Sequence, residues 1–141
     1  MCIRDREIEV TPKDLLAYAD ESLISHVVTN LLKNVVEAFN GLQSEPTTKA
    51  SIRLHAYTNE QEAVIIDVSN NAGLIPDDVA SHIFIPFFTT KPEGSGIGLS
   101  LSRQIMRVSG GSLSLSQDKT HGITTFPVSY THLTLPTTER V

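Results

Sequence analysis

The stretch Phe87-Phe88-Thr89-Thr90-Lys91-Pro92-Glu93-Gly94-Ser95-Gly96-Ile97-Gly98-Leu99 starts apolar, passes a lysine and a proline, and ends in alternating glycines. Those glycines run straight into a stretch where Leu99, Leu101, Ile105 and Val108 allow another helix, which Gly110-Gly111 ends. Glycines let a backbone come close to a ligand, and the N–H groups exposed at a helix start suit an anion. Two common phosphate loops are excluded. The third glycine comes one residue too early for a dinucleotide fingerprint, and no Gly-Lys-Ser/Thr follows. Taken alone, a flexible connector explains the glycines nearly as well. Lys91 is either a solvated charge or a mobile point charge that can approach phosphate.

Upstream, helical and strand periods separate. The pairs Leu23-Ile24, Val27-Val28, Leu31-Leu32 and Val35-Val36 recur every four residues and predict a buried helix, capped by Asp20 or Ser22 and ended at Asn40-Gly41. Ser51–Tyr57 alternates as a strand, Thr58–Glu62 turns, and Ala63–Ser69 predicts a second, more buried strand paired with it as a hairpin. Asn70–Pro76 reads as a small-residue turn leading to a short helix at Pro76-Asp77-Asp78. Downstream of Gly111, Ser112–Gln117 and Ile123–Phe126 predict two more strands. The order is strand, helix, two strands, helix, loop, helix, two strands, without an internal repeat. It predicts an α+β fold, a two-layer sandwich with helices on one face of a mixed, mostly antiparallel sheet.

Length and composition agree with one such domain. The chain has 141 residues, 40% hydrophobic and 19% charged, against roughly 100–200 residues for a typical domain. Sixteen Asp+Glu against eleven Lys+Arg give a net charge of -5, so there is no basic stripe for nucleic acid and no basic run for an anionic membrane. The longest apolar runs, such as Ala63-Val64-Ile65-Ile66, are far shorter than the roughly 18 residues a membrane span needs. Cys2 is the only cysteine, which excludes an internal disulfide and fits a reducing compartment. A cytoplasmic location is expected for this segment, with membrane anchorage of a longer parent left open.

Asn30 and Asn34 sit four apart on the predicted helix, so their amides project from one side, a turn apart. Such amides either satisfy backbone groups or meet a ligand or metal-bound phosphate. The order of these features resembles a family. Asn30–Asn34 with Glu37-Ala38, then Asn70-Asn71-Ala72-Gly73-Leu74-Ile75-Pro76, then Phe84–Lys91, Gly94–Leu99 and a closing Gly122-Ile123-Thr124-Thr125-Phe126 match the ordered boxes of bacterial sensor histidine kinases. The match is to their ATP-binding catalytic domain, of the Bergerat-type fold shared with type II topoisomerases, mismatch-repair ATPases and anti-sigma-factor kinases. It covers roughly Glu7 to Phe126.

The resemblance implies ATP and Mg2+ as cofactors and protein histidine kinase activity. It makes Asn34 the magnesium ligand, and Asn30 a phosphate-facing residue one turn earlier. Asn70 stands where the family reads the adenine amino group with Asp. Ala72, Ile75 and Phe87 resemble the base pocket and its lid. Lys91 and the amides of Gly96, Gly98 and Leu99 are expected to hold the triphosphate, with Thr90, Gly94, Ser95 and Ile97 completing the ATP-binding set, and Thr125 is expected to support adenine. Asn30, Asn34 and Lys91 form the catalytic set. The implied partners are a histidine-bearing dimerisation domain, expected outside this segment, and a response regulator. His26, His55, His82 and His121 are scattered, with neither metal-ligand spacing nor a phosphoacceptor context.

Chemistry separates the branches. Hydrolytic relatives place a Glu base at the position of Asn30, and a neutral amide takes no proton at neutral pH. An accepting imidazole is already a nucleophile, so transfer rests on positioning and charge neutralisation. Two departures favour an alternative, a degenerate nucleotide-binding pseudokinase module. Asn70 replaces Asp, and Leu74 replaces a glycine where left-handed backbone would disfavour a side chain. An anti-sigma-type serine kinase is the other alternative, and it lacks its acidic base here. Finally, Met1–Arg6 and Pro127–Val141 resemble translated sequencing-adapter read-through, which places the domain at residues 7–126 and the last strand's end near Phe126.

Overall fold

The computed structural model describes residues 5–11, 13, 21–40, 50–86 and 98–130. Helix α1 (Glu21–Asn40) buries Val27, Leu31, Val35 and Phe39, each no more than 2% exposed. A repeat of four advances about 40° per step on a helix of 3.6 residues per turn, so the stripe winds around the axis. For that reason Leu23 and Val36, on the margins of the predicted face, are exposed.

The strands are β1 (Asp5–Thr11), β2 (Ser51–Thr58), β3 (Val64–Asn70), β4 (Gly111–Leu113), β5 (Ser116–Asp118) and β6 (Ile123–Tyr130). Helix α2 (Asp77–Ala80) is a single turn, and α3 (Gly98–Val108) has three. The sheet runs β1-β2-β3-β6-β4, with β5 paired to β6. Only β1 and β2 pair in parallel, across the connection that contains α1; β2–β3, β3–β6, β4–β6 and β5–β6 are antiparallel. The expected mixed, mostly antiparallel sheet with helices on one side is the observed architecture, and the predicted hairpin is β2–β3.

Period-2 alternation sorts the two faces. On β3, Val64, Val68 and Asn70 are buried; on β6, Thr124, Phe126, Val128 and Tyr130 are. Of these, Val68, Phe126, Val128 and Tyr130 meet α1 and, from α3, Met106 in one core that also takes Ile83 and Leu113. The opposite face carries polar pairs: Ser69 with Thr125 at 2.9 Å, Tyr57 with Asp67 at 3.1 Å, and Arg53 with Glu9 at 2.6 Å. The Arg53 guanidinium beside Glu9 holds that carboxyl below its ordinary value.

Boundaries differ from expectation in three places. The predicted strand Ser112–Gln117 is two strands, because Ser114 and Leu115 leave the ladder between β4 and β5. Asp5 and Arg6, inside the flank set aside at the start, belong to β1. The last strand does not stop at Phe126. It continues through Pro127 to Tyr130, where β4 pairs with it; the proline stands opposite the break between β4 and β5, where no ladder bond calls on its missing N–H and its carbonyl accepts the Ser114 N–H at 3.2 Å.

Candidate functional site

Asn30, the first of the α1 amide pair, faces α3. Asn30 and Asn34 are both half-buried on the same side of the helix. The Nδ2 of Asn30 donates to Ser102 Oγ at 3.3 Å. Ser102 lies on the inner stripe of α3 and is fully buried. A buried hydroxyl needs a partner, and this one receives the nitrogen end of Asn30, which turns the carbonyl oxygen the other way.

Gly98 and Leu99 open α3, where the first N–H groups have no acceptor within the helix. The positive end of the helix dipole adds to that donor array, which is the arrangement an anion requires. Leu99 packs against the core and anchors this end. The other end of the approach is fixed by Phe84, whose ring lies 4.7 Å from the Arg103 guanidinium of α3. Phe87, Thr90, Lys91, Gly94, Ser95, Gly96 and Ile97 lie outside the described residues.

Asn70 closes β3 and is 6% exposed. Its Oδ1 accepts the Ala72 N–H at 2.9 Å, so the side chain nucleates the turn that follows. The next residue, Asn71, ties the same turn to β2 by accepting the Ser51 N–H at 2.8 Å. Ala72 and Ile75 are half-buried and packed on the core. The positive φ in this turn falls on Gly73, at 133°, and not on Leu74. Leu74 is exposed at the surface. The departure from a glycine at 74 therefore strains nothing, because the neighbouring glycine takes the left-handed conformation.

Thr125 requires a correction. It lies on the outer face of β6, bonded to Ser69, whereas Thr124 points to the helix side. Successive side chains on a strand alternate, so a one-residue choice exchanges faces. Thr124 is 2% exposed and places its Oγ1 3.1 Å from the Gly73 carbonyl. Three residues of this site were not expected from the sequence: Ser102, Thr124 and Gln117. The first was legible as a serine in register with Leu99 and Met106 on an apolar stripe. Gln117 carried no local signal, since its partner is the backbone of Ile75, 42 residues away.

Among the described residues no three His, Cys, Asp or Glu side chains gather as a metal site. No described helix is long and apolar enough to cross a membrane. The hydrogen bond from His121 holds the Asp118 carboxyl below its ordinary value, at the exposed β5–β6 turn.

Comparison with known proteins gives this geometry its class. Residues 19–138 match the family model described as histidine kinase-, DNA gyrase B-, and HSP90-like ATPase. The chain is 34% identical over 124 residues to sporulation kinase D of Bacillus subtilis, covering 85% of this chain and 23% of that protein. It is 30% identical over 105 residues to the nitrogen regulation protein NtrY of Azorhizobium caulinodans, covering 74% of this chain and 14% of that protein. The catalytic domain of histidine kinase ThkA superposes with a TM-score of 0.74 at 29% identity, over 89% of this chain and 77% of that one. The chain thus spans about a quarter or less of the length of these two full-length relatives. It belongs to the histidine kinase-, DNA gyrase B- and HSP90-like ATPase family, as the ATP-binding catalytic domain of a two-component sensor histidine kinase.

Proposed function

We propose that this domain binds Mg-ATP and transfers the γ-phosphoryl group to a histidine on a separate dimerisation domain, from which it passes to a response-regulator aspartate. The observation that supports the reading is the Asn30–Ser102 contact. It sets a neutral amide between α1 and α3. A site built this way orients a phosphate chain without offering water a base.

The donor set fits magnesium. Mg2+ keeps several waters and takes few protein ligands beside substrate phosphates, so a lone carboxamide oxygen suits it better than an acidic cage. Asn34 is the residue that would hold it, and the bound ion would neutralise charge on the phosphates. The chain's own residues do the rest. The amides opening α3 bind the phosphate chain, and Lys91 adds a positive charge. Asn70, Ala72 and Ile75 orient the base, with Thr124 behind them. Asn30, with its nitrogen on Ser102, turns its oxygen away from α3 toward the phosphates. In transfer, the bond from the γ-phosphorus to the bridging oxygen breaks as one forms to an imidazole nitrogen, and ADP leaves with the electron pair.

The test is radiolabelled Mg-ATP incubated with this chain and a separately expressed histidine-bearing helical domain. An acid-labile, base-stable label on that domain is expected, with very slow phosphate release by this chain alone. Robust steady-state hydrolysis abolished by Asn30→Ala would overturn the reading.

Asn70→Asp gives a second expectation. The carboxylate keeps the bond to the Ala72 N–H and makes the adenine contact charge-assisted, roughly twice as strong as a neutral one. Mg-ATP affinity measured by calorimetry is expected to rise about fivefold, corresponding to about 1 kcal/mol. Weaker binding would refute the adenine contact at residue 70.

A further inference from the structure

The Asn71–Pro76 turn has no regular structure, yet its backbone is held from outside by side chains. Gln117, on β5, does most of this. Its Oε1 accepts the Ile75 N–H at 2.7 Å, and its Nε2 donates to the Ile75 carbonyl at 3.0 Å. The two bonds use both backbone polar groups of one residue, as a neighbouring strand would. They also leave no freedom in the orientation of the amide, because a flipped carboxamide would set oxygen against oxygen and nitrogen against N–H. Thr124, directly opposite Gln117 in the β5–β6 register, places its hydroxyl 3.2 Å from the same Oε1 and 3.1 Å from the Gly73 carbonyl. The turn is thereby fixed at Gly73 and Ile75 by two side chains, and at Ala72 by Asn70.

We propose that Gln117 is a positioning residue for base recognition: by pairing edge-on with the Ile75 backbone, it holds the Ala72–Ile75 wall at the distance from Asn70 that a purine requires. The proposal rests on the nucleotide reading above. Gln117 itself touches no ligand in this account, and it acts on the base end of the site only. The anion-binding end, at the start of α3, lies on a different element. Loss of the carboxamide therefore separates the two ends energetically, which a general loss of stability cannot do.

The experiment uses the full chain with Gln117→Met, which keeps the length and apolar contact of the side chain but removes both bonds, and Gln117→Ala beside it. Three probes are titrated: Mg-ATP, Mg-GTP and Mg-tripolyphosphate. Both variants are expected to bind Mg-ATP roughly three- to tenfold more weakly, the loss of one to two hydrogen bonds. Discrimination between ATP and GTP is expected to narrow, and tripolyphosphate affinity to stay as in the wild type. Hydrogen exchange at the Ile75 amide is expected to speed up in the same variants. Unchanged Mg-ATP affinity overturns the proposal. So does an equal loss for ATP and tripolyphosphate, or failure of both variants to fold, since either outcome makes Gln117 a general structural residue. A wild-type chain that binds no Mg-ATP overturns the nucleotide reading and this proposal with it. That failure is distinguishable because it shows before any substitution is made.

Discussion

Asn34→Ala should abolish phosphoryl transfer while leaving the fold intact. Asn34 is half-buried on α1, next to the fully buried Val35 but outside the stripe that forms the core. Alanine is the best helix former, so the substitution removes an amide without weakening the helix. Its cost falls on function. A metal that neutralises phosphate charge contributes several kcal/mol to the transition state, and each 1.36 kcal/mol is about tenfold in rate. With Asn34 as the proposed protein ligand of that metal, its loss is expected to lower transfer about 100-fold or more. Thermal unfolding should shift by no more than a degree or two, because the change removes no core side chain. Asn34→Asp sharpens the comparison. A carboxylate still offers oxygen to magnesium, and should recover part of the activity. Transfer by Asn34→Ala within a fewfold of wild type, in a folded protein with saturating Mg-ATP, would show that the metal is held elsewhere.

The legible and illegible parts of this molecule follow from the range of the forces involved. The 3.6-residue period of Val27, Leu31 and Val35 and the alternation of β2 and β3 are local patterns, and both elements form where they say. The Asn30–Asn34 pair was legible because four residues on a helix are one turn. Position along a strand was less secure. Thr124 and Thr125 are chemically identical, and only the burial of Phe126 two residues on identifies Thr124 as the inward one. Gln117 was out of reach, because a side chain acting as a strand edge depends on a turn distant in sequence. Leu74 shows the opposite error. Matched to a motif position it looks strained, while the chain moves the left-handed residue one place to Gly73.

A chain ending at Phe126 should be far less stable than one ending at Tyr130. Residues beyond Phe126 are Thr-rich and resemble adapter sequence, which predicts that the last strand ends near there. In the structure Val128 is fully buried and Tyr130 is 3% exposed, and both pack in the central core. Every residue of β4 is paired with this half of β6: Gly111 with Tyr130, Ser112 with Ser129, and Leu113 with Val128. The two strands approach so closely at Gly111 that a Cβ there would strike the Ser129 carbonyl oxygen. Removing residues 127–141 therefore exposes Leu113 and leaves β4 without a ladder, besides deleting two core side chains. At about 1.5–3 kcal/mol for each large side chain buried, the deletion costs about 3–6 kcal/mol, a large share of the roughly 5–15 kcal/mol that holds a typical domain together. Removing only residues 131–141 deletes none of these contacts. Chemical denaturation of the two shortened chains, beside the full one, measures the difference. The chain ending at Tyr130 is expected to unfold at the midpoint of the full chain, and the one ending at Phe126 at a much lower midpoint or without a folded baseline. Equal midpoints would mean that the second half of β6 adds pairing but no stability, and that the fold is complete at Phe126.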